Sequence, residues 1–441
     1  MKIAFLLHNA YGIGGTIRTT LNLAAALADH HEVEIVSMMR HRENPRFTVD
    51  PRVRLIPLVD IRPDSADARD PLHAEPARVF PAAEKRHHQY SRLIDCRARE
   101  YLRRSDADVL IGTRPGVNVY LARFGPGRAL RIGQEHLSHD VHSKRLLAEL
   151  APHYRRLDAL VTTTEADAAV YARRMPLPGV RVLAVPNSVP EPPGPLSDGT
   201  TRIVAAAGRL ARGKRYDLLI EAFAAVAVKH PDWRLRIYGD GTERDRLARL
   251  ITEFGLKDAV RLMGVRSPIE PEFAKASIVA VSSDAESFGM TIVEAMRCGV
   301  PVVSTDCPLG PAEIIRDGVD GRLVPVRDVA ALADALNDLI EDEPGRRRMA
   351  AAALDNAVRF DPGPIARRYE LLFAELARSR GERARERVGA AARTRLRGVL
   401  RRARLLGTLR RAGRAVRDGR ATPRGAVRAP RPAGPARRAP Q

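Results

Sequence analysis

The sequence predicts an α/β protein with two parallel-sheet domains and a basic C-terminal tail. Three observations carry this prediction. Short apolar segments of strand length alternate with helical patterns through residues 1–377, and a segment rich in proline and glycine at 192–201 divides this alternation in two. From Arg378 onward, arginine, alanine and glycine dominate. A chain of 441 residues is long enough to bury the cores of two such domains.

The first predicted element is an apolar strand at residues 2–8, followed by a glycine-bearing loop at 9–15 and a helix that we expect Thr16 to cap. Further strands are expected at 33–36, 109–112, 131–135 and 159–163. The loop has Ile17 where a dinucleotide-binding fingerprint requires its third glycine, and no acidic residue ends the next strand. This pattern argues against a nicotinamide-dependent enzyme.

Two stretches of the first domain have more than one interpretation. Residues 60–89 are polar and proline-bearing without clear periodicity, so we expect a plain surface loop, with a mobile insertion as the alternative. The strand that ends at residue 135 is followed by His136, His139 and His142. Three histidines at intervals of three could hold a metal ion, but neither a cysteine nor a further ligand cluster supports this, and we expect no metal site.

The second domain is expected to begin with a strand at 203–207, followed by Gly208, Arg209 and Lys214 before a helix. Because the carboxyl ends of parallel strands border ligand crevices, these two cations are candidates for binding an anionic ligand. Surface charge that keeps the protein in solution is the alternative. A strand and loop at 235–241 contain Gly239, which permits close backbone approach, and another strand is expected at 260–264.

Residues 277–323 form the unit around which a site can be predicted. A buried strand is expected at 278–281, a turn of small polar residues follows, and a helix runs from Gly289 to Gly299 before the next strand. Glu286 lies in the turn, and Glu294 lies about two turns inside the helix. Two carboxylates therefore flank the start of a helix.

The start of this helix is expected to bind an anion. The N–H groups of Ser287, Phe288 and Gly289 have no helical acceptor and lie at the positive end of the helix dipole. A diphosphate suits these donors, and the flanking carboxylates can accept hydrogen bonds from vicinal hydroxyls, so the pattern indicates a sugar nucleotide. The alternative is an ordinary helix with an acidic first turn and one solvated glutamate.

These residues resemble glycosyltransferase family 4, the retaining transferases of the two-domain GT-B fold. The family signature of two glutamates separated by seven residues is matched by residues 286–294 (ESFGMTIVE), and it continues in Ala295-Met296, Gly299 to Val303, Gly318 and Gly321. The family's first loop, a glycine pair followed by an arginine, is matched by Gly14, Gly15 and Arg18. The resemblance covers about residues 1–377 and implies two facing Rossmann-like domains.

The resemblance also sets the expected domain boundaries. Residues 1–190 form an acceptor-side domain, residues 191–202 a linker, and residues 203–362 a nucleotide-sugar-binding domain. Residues 363–377 form a closing helix that returns to the first domain, and residues 378–441 form the tail.

Each predicted site residue has a role that the resemblance implies. Glu294 would hold the ribose hydroxyls, and Glu286 would hold hydroxyls of the transferred sugar. Arg209 and Lys214, with the amides of residues 287–289, would neutralise the leaving diphosphate. The remaining donor-binding candidates are Gly14, Gly15, Gly239 and Arg266.

The side chains expected to serve catalysis are His136, Glu286, Arg209 and Lys214. His136 matches a family histidine that contacts the donor sugar near the reaction centre, and a histidine with only a structural role is the alternative. The resemblance implies retention of anomeric configuration and an α-linked product. No Asp-x-Asp pair follows a strand of the second domain, so we expect neither an essential metal nor another cofactor.

The run from Cys307 to Ile315 looks most like relatives that use UDP-hexoses or UDP-N-acetylhexosamines on lipid-linked or wall-polymer acceptors. GDP-mannose is the second choice of donor. Two other classes of function stay open. One is a sugar-nucleotide epimerase of the same fold, and the other is an inactive GT-B protein that binds polyanions or membranes.

The tail holds most of the net charge of +21. Residues 378–441 contain 21 arginines and three acidic residues, which leaves +3 for the rest of the chain. Apolar residues recur at three- and four-residue steps within 383–417, which predicts a basic amphipathic helix suited to an anionic membrane surface, with disorder after it. Nonspecific polyanion binding and a functionless extension are the alternatives. Specific nucleic-acid binding is disfavoured because the tail lacks aromatic residues that stack on bases.

Three cysteines, Cys96, Cys298 and Cys307, are too few and too scattered for a disulfide framework, which favours a reducing compartment. The apolar run near the N-terminus is too short for a signal peptide, and no segment is long enough to span a bilayer. We therefore expect a cytoplasmic protein or one peripheral on the inner face of the plasma membrane.

Overall fold

The computed structural model describes residues 1–393 and 395. The chain divides into two units, Met1–Ala384 and Arg385–Gln441. Both predicted domains lie in the first unit.

The first domain has a seven-stranded parallel sheet in the order β3-β2-β1-β4-β5-β6-β7. Its strands are β1 Lys2–Leu7, β2 Glu32–Ser37, β3 Val53–Pro57, β4 Val109–Gly112, β5 Leu130–Glu135, β6 Ala159–Thr162 and β7 Arg181–Ala184. Its helices are α1 Gly15–Leu27, α2 Pro71–Ala74, α3 Arg92–Arg104, α4 Pro115–Phe124, α5 Lys144–Tyr154 and α6 Glu165–Arg174.

The second domain has a six-stranded parallel sheet in the order β10-β9-β8-β11-β12-β13. Its strands are β8 Ile203–Ala207, β9 Arg234–Tyr238, β10 Val260–Gly264, β11 Ile278–Val281, β12 Val302–Thr305 and β13 Gly321–Val324. Its helices are α7 Tyr216–Lys229, α8 Arg244–Glu253, α9 Glu270–Phe273, α10 Met290–Arg297, α11 Pro311–Ile314, α12 Val329–Glu341 and α13 Glu343–Ala357, and α14 Pro362–Arg378 follows. The predicted fold class is confirmed.

The strand order reverses between β1 and β4 in the first sheet and between β8 and β11 in the second. In parallel sheets, ligands bind in the crevice outside the carboxyl ends of the strands at such a switch point. The segments that follow these strands begin at residues 8, 113, 208 and 282. The topology therefore brings the predicted loops of both domains to ligand-binding edges.

Helix α14 buries its apolar face in the core of the first domain. Ile365, Tyr369 and Phe373 belong to the same buried cluster as Ile3 and Phe5 of β1. The Tyr369 hydroxyl also accepts a hydrogen bond from Gln134 Nε2 at 2.6 Å. Helix α14 is therefore part of the first domain's packing, although the second domain precedes it in the chain.

Three strands, β3, β7 and β13, were not expected from the sequence. Each is an edge strand of its sheet, and each carries an arginine and partly exposed positions. Edge strands are half solvated, so they lack the continuous apolar run of a central parallel strand. The expected cap at Thr16 is wrong, since α1 begins at Gly15 with Gly14 in the capping position.

The expectation of a plain surface loop at residues 60–89 is also wrong. Phe80 is buried, and its ring stacks on Tyr90 with centroids 3.5 Å apart. Glu84 is buried and accepts hydrogen bonds from the Arg114 side chain and from the Gly116 N–H. This segment is therefore packed against the first domain, and it contains α2.

The tail prediction falls mostly outside the described residues. Residues 380–393 and 395 are helical, and the rest of the expected amphipathic helix at 383–417 is not described. Arg383, the first residue of that predicted helix, is buried, and its guanidinium lies 3.1 Å from Asp158 Oδ1. Arg383 is therefore packed against the first domain and not exposed, whereas membrane binding by the predicted segment 383–417 stays a prediction.

Within the part of the chain that the structure describes, no helix is both long and apolar enough to cross a bilayer.

Candidate functional site

A cleft of about 600 Å³ is lined by loops of both domains. All of the predicted site residues line it, namely Gly14, Gly15, His136, Arg209, Lys214, Gly239, Arg266, Glu286, Ser287, Phe288, Gly289 and Glu294. The two sheets contribute these residues from their carboxyl edges, as the topology requires. The roles of these residues remain predictions.

Lys214 and Glu286 form an ion pair inside the cleft, with Lys214 Nζ 2.5 Å from Glu286 Oε1. Ser283 Oγ donates a hydrogen bond of 2.6 Å to the same oxygen. The backbone of Lys214 is also held, because its carbonyl accepts from Ser282 Oγ at 2.9 Å. Both side chains are thus positioned, while Glu286 Oε2 makes no hydrogen bond to another described residue. Ser283 was not predicted.

The start of α10 presents free donors to the cleft. Gly289, with a φ of 109°, occupies the capping position, a left-handed conformation that glycine adopts without strain. The backbone N–H groups of Ser287, Phe288 and Gly289 donate to no other group in the described residues, whereas the Ser287 carbonyl accepts from Thr163 Oγ1 at 2.9 Å. The predicted anion site before α10 therefore has three N–H donors that no described residue uses. Thr163 of the first domain contacts the edge of this site.

Phe288 contributes only its backbone N–H group to this anion site. Its side chain is buried and contacts Phe360 edge-to-face, with ring centroids 5.6 Å apart. The ring anchors the turn, which keeps the neighbouring amides in place.

Glu294 is buried on α10, and Arg18 of the first domain contacts its Oε1 at 3.2 Å. The same guanidinium binds Glu270 Oε1, so one arginine bridges two buried carboxylates of the second domain. Burial raises the pKa of Glu294 to about 7; Glu270 adds to this rise, whereas Arg18 and Lys214 oppose it. Glu270 was missed because α9 carries no motif and lies far from Arg18 in the chain.

His136 lies at the carboxyl end of β5, and its Nε2 is 3.2 Å from Gln134 Oε1. Burial, together with the charge of Arg114, lowers the pKa of His136 to about 4 against the effect of a hydrogen bond with Asn187, so the imidazole is neutral near pH 7. A neutral imidazole can position a hydroxyl group but cannot supply positive charge.

The three histidines of this region do not converge. His139 Nδ1 is 2.8 Å from Asp140 Oδ1, and His142 Nε2 is 3.4 Å from Glu135 Oε2, whereas His136 faces the cleft. Among the residues described, no group of three histidine, cysteine or acidic side chains could hold a metal ion.

Gly239 and the two remaining cations complete the second domain's wall. A Cβ atom on Gly239 would lie 1.8 Å from the Gly208 carbonyl oxygen, so the close approach of these two loops excludes any side chain there. Arg209 and Arg266 are exposed, and neither guanidinium has an ion-pair partner among the described side chains. Both can therefore receive an anionic or polar ligand.

Comparison with known proteins gives a family match for the second domain. Residues 191–355 match the model described as glycosyl transferases group 1. An exopolysaccharide phosphotransferase of Streptomyces coelicolor is 36% identical over 393 residues, which are 87% of this chain and 41% of the relative. An uncharacterised glycosyltransferase of Haemophilus influenzae is 24% identical over 77% of this chain and 91% of its own length. The chain thus spans about two fifths of the Streptomyces relative.

Solved structures share the fold. Staphylococcus aureus TarM, crystallised with fondaparinux, alpha-GlcNAc-glycerol and UDP, has a TM-score of 0.68 at 16% identity over 84% of this chain and 99% of its own. Anabaena HepE, crystallised with UDP and glucose, has a TM-score of 0.65 at 20% identity over 85% of this chain and 99% of its own. At these identities the likeness establishes the GT-B fold alone.

Proposed function

We propose that this chain, which carries a group 1 glycosyl transferase domain within a GT-B fold, is a retaining glycosyltransferase of family 4. It transfers a hexosyl or N-acetylhexosaminyl group from a nucleotide sugar to a lipid-linked or cell-envelope glycan. One observation carries the proposal. The Lys214–Glu286 pair, the free amides before α10 and the buried Glu294 meet in a single cleft between the two domains.

The donor is proposed to lie across the second domain. Its ribose hydroxyls would donate to Glu294, whose Oε2 accepts no hydrogen bond in the described structure while Oε1 is held by Arg18. Its diphosphate would be bound by Arg209, Lys214 and the amides of residues 287–289. The free Oε2 of Glu286 would accept from hydroxyls of the transferred sugar. We favour a UDP-sugar because the TarM and HepE structures contain UDP.

Catalysis is proposed to rest on positioning and on stabilising the leaving diphosphate. As the bond between the anomeric carbon and the diphosphate oxygen breaks, negative charge grows on that oxygen. Lys214, which Glu286 already holds in place, and Arg209 would be the cations beside it, and neutral His136 would hold a hydroxyl of the sugar. Retention with an α-linked product is part of the proposal.

A second candidate function follows from the Streptomyces relative, which is named an exopolysaccharide phosphotransferase. Transfer of a phosphosugar would leave UMP, whereas transfer of the sugar alone would leave UDP. Identifying the released nucleotide by chromatography separates the two.

The test of the proposed function is a panel of UDP-, GDP- and ADP-sugars, assayed for hydrolysis and transfer with and without EDTA. We expect one donor to be turned over, EDTA to leave the rate unchanged, and Glu294→Ala to abolish turnover. Failure of every donor to bind or react would refute the proposal. Conversion of a donor without an acceptor into its epimer would favour the epimerase alternative.

Donor binding is expected to depend on pH through Glu294. Its pKa near 7 means that the carboxylate accepts ribose hydrogen bonds above pH 7 and is protonated below it. The KM for the donor should therefore rise by about tenfold as pH falls from 8 to 6, since the ionised fraction drops by that factor. In Glu294→Gln the KM should be higher and insensitive to pH in this range. The same pH dependence in the variant would show that another group titrates.

A further inference from the structure

Beside the donor cleft, the first domain brings together a histidine and two arginines that the proposed donor does not use. His8 follows β1 and Arg114 follows β4, the two strands at the switch point of the first sheet. The packed segment at residues 60–89 adds Arg86, and Arg209 contributes from the second domain. We call His8, Arg86, Arg114 and Arg209 the basic cluster.

Direct contacts hold the centre of the basic cluster. Arg86 Nη1 is 3.4 Å from His8 Nε2 and donates to Gln89 Oε1 at 3.0 Å. His8 Nδ1 lies 2.8 Å from the Tyr90 hydroxyl. Burial, with the charges of Arg114 and Arg86, lowers the pKa of His8 to about 3, so this ring is neutral and accepts from Arg86 through Nε2. Arg86 is thus positioned by neutral groups.

The basic cluster has more positive charge than the protein compensates. Glu84 is the carboxylate that pairs with Arg114, and both side chains are largely buried. Arg86 is half-buried and, like Arg209, has no carboxylate partner among the residues described. Burial, followed by the charges of Arg114 and Arg209, lowers the pKa of Arg86, against the opposing effects of Tyr90 and Glu84. A half-buried guanidinium without a counter-charge is costly, and a bound anion would remove that cost.

The basic cluster is distinct from the proposed diphosphate site. Of its members, Arg209 lines the donor cleft, whereas His8, Arg86 and Arg114 do not. These three lie on the first-domain side, where the acceptor is proposed to bind. Arg209 therefore lines the donor cleft and also lies near Arg86, and guanidinium groups from two domains would suit the oxygens of a phosphate.

We propose that the basic cluster binds a phosphate group of the acceptor, so that the acceptor is a phosphorylated sugar, polyol or lipid. This inference rests on the proposed function and specifies its acceptor class. Arg86 is the residue that recognises the acceptor phosphate, and Arg209 contacts both this phosphate and the donor diphosphate.

A binding experiment tests the phosphate site without knowledge of the acceptor. Inorganic phosphate is titrated into the full-length protein with saturating UDP, against sodium chloride at equal ionic strength, and the melting temperature is recorded. We expect phosphate to raise Tm by about 2 °C or more in the wild type. Arg78→Gln, an exposed arginine of the same segment, should respond like the wild type, and Arg86→Gln should not.

Two outcomes of this titration overturn the inference. One is no phosphate-specific shift in the wild type, and the other is an equal shift in Arg86→Gln. A titration of the protein with UDP alone, recorded before phosphate is added, keeps the two proposals apart. Absence of any UDP effect on Tm argues against the proposed function, whereas a UDP effect without a phosphate effect overturns the acceptor inference alone.

A transfer experiment identifies the source of the phosphate. The turned-over donor is offered with matched pairs, namely glucose 6-phosphate with glucose, glycerol 3-phosphate with glycerol, and a polyprenyl phosphate with its alcohol in the same detergent. We expect the phosphorylated member of one pair to have a kcat/KM about tenfold or more above its partner, a preference that Arg86→Gln removes and Arg78→Gln keeps. Equal kcat/KM values for the phosphorylated and the neutral member of every pair would overturn the inference. Equal efficiency with a uronic acid, whose negative charge is a carboxylate and not a phosphate, would also overturn it.

Discussion

Replacing Lys214 with alanine is expected to lower kcat for sugar transfer by about 10²- to 10³-fold, the usual effect of removing one preorganised group that stabilises developing negative charge. Lys214 Nζ lies in the cleft at 2.5 Å from Glu286 Oε1, so it is held before the donor arrives. Its loss would leave the departing diphosphate with Arg209 and the amides alone. Steady-state kinetics with the identified donor would measure this change.

Arg212→Ala is the matched control for Lys214→Ala. Arg212 lies in the same short 3-10 turn, is exposed and does not line the cleft. The Arg212→Ala substitution removes the same charge as Lys214→Ala. It should leave kcat within about twofold of the wild-type value, since surface substitutions away from special contacts have small effects. An equal loss in the two variants would indicate damage to the turn and would contradict a specific role for Lys214.

The Lys214–Glu286 pair should also behave as one unit. If Lys214→Ala and Glu286→Ala each disrupt the same arrangement, the double variant should lose less activity than the product of the two single losses. Independent, multiplicative losses would show that the two side chains act on separate parts of the reaction.

Replacing Arg383 with alanine is expected to lower the free energy of unfolding by about 3 kcal/mol, which is the lower end of the range for breaking a buried ion pair. Arg383 Nη2 lies 3.1 Å from Asp158 Oδ1, and both side chains are buried. The lower end applies because Arg131 remains 3.6 Å from Asp158 Oδ2. Chemical denaturation followed by circular dichroism would measure the change.

Arg378→Ala is the control for Arg383→Ala, because Arg378 is exposed at the end of α14 and should contribute less than about 0.5 kcal/mol. Equal stability of Arg383→Ala and the wild type would contradict the structural role of the buried pair. The buried Arg383–Asp158 pair also decides where a deletion of the tail should end. A chain ending at residue 384 keeps Arg383, whereas a chain ending at residue 377 removes it and confounds stability with membrane binding.

Membrane association of the tail remains a prediction. Liposomes with and without anionic lipid, mixed with the full chain and with the chain ending at residue 384, would test it. We expect binding to anionic liposomes by the full chain alone.

Much of the fold and of the site was predictable because the relevant signals are local. Central strands such as β4 and β11 are buried on both faces, so each forms a continuous apolar run that the sequence displays. Edge strands β3, β7 and β13 escaped prediction because solvent on one side permits arginines and exposed positions within them. The edge strand β10 also contains an arginine, but its Val260, Leu262 and Met263 left an apolar pattern that predicted it. The donors before α10 were expected because the N–H groups at the start of a helix lack helical acceptors, although the structure places Ser287 and Phe288 in the turn before the Gly289 cap and not in the helix itself.

The sequence by itself determined the two parallel-sheet domains, the turn from Glu286 to Gly289, and the cations that follow β8. Each depends on residues within one strand, turn and helix. Only the tertiary structure decided that Arg18 bridges Glu270 and Glu294, that Arg383 is buried against Asp158, and that Arg86 joins a basic cluster with His8 and Arg209. These contacts join residues far apart in the chain, so their charges influence one another only after the domains have packed together.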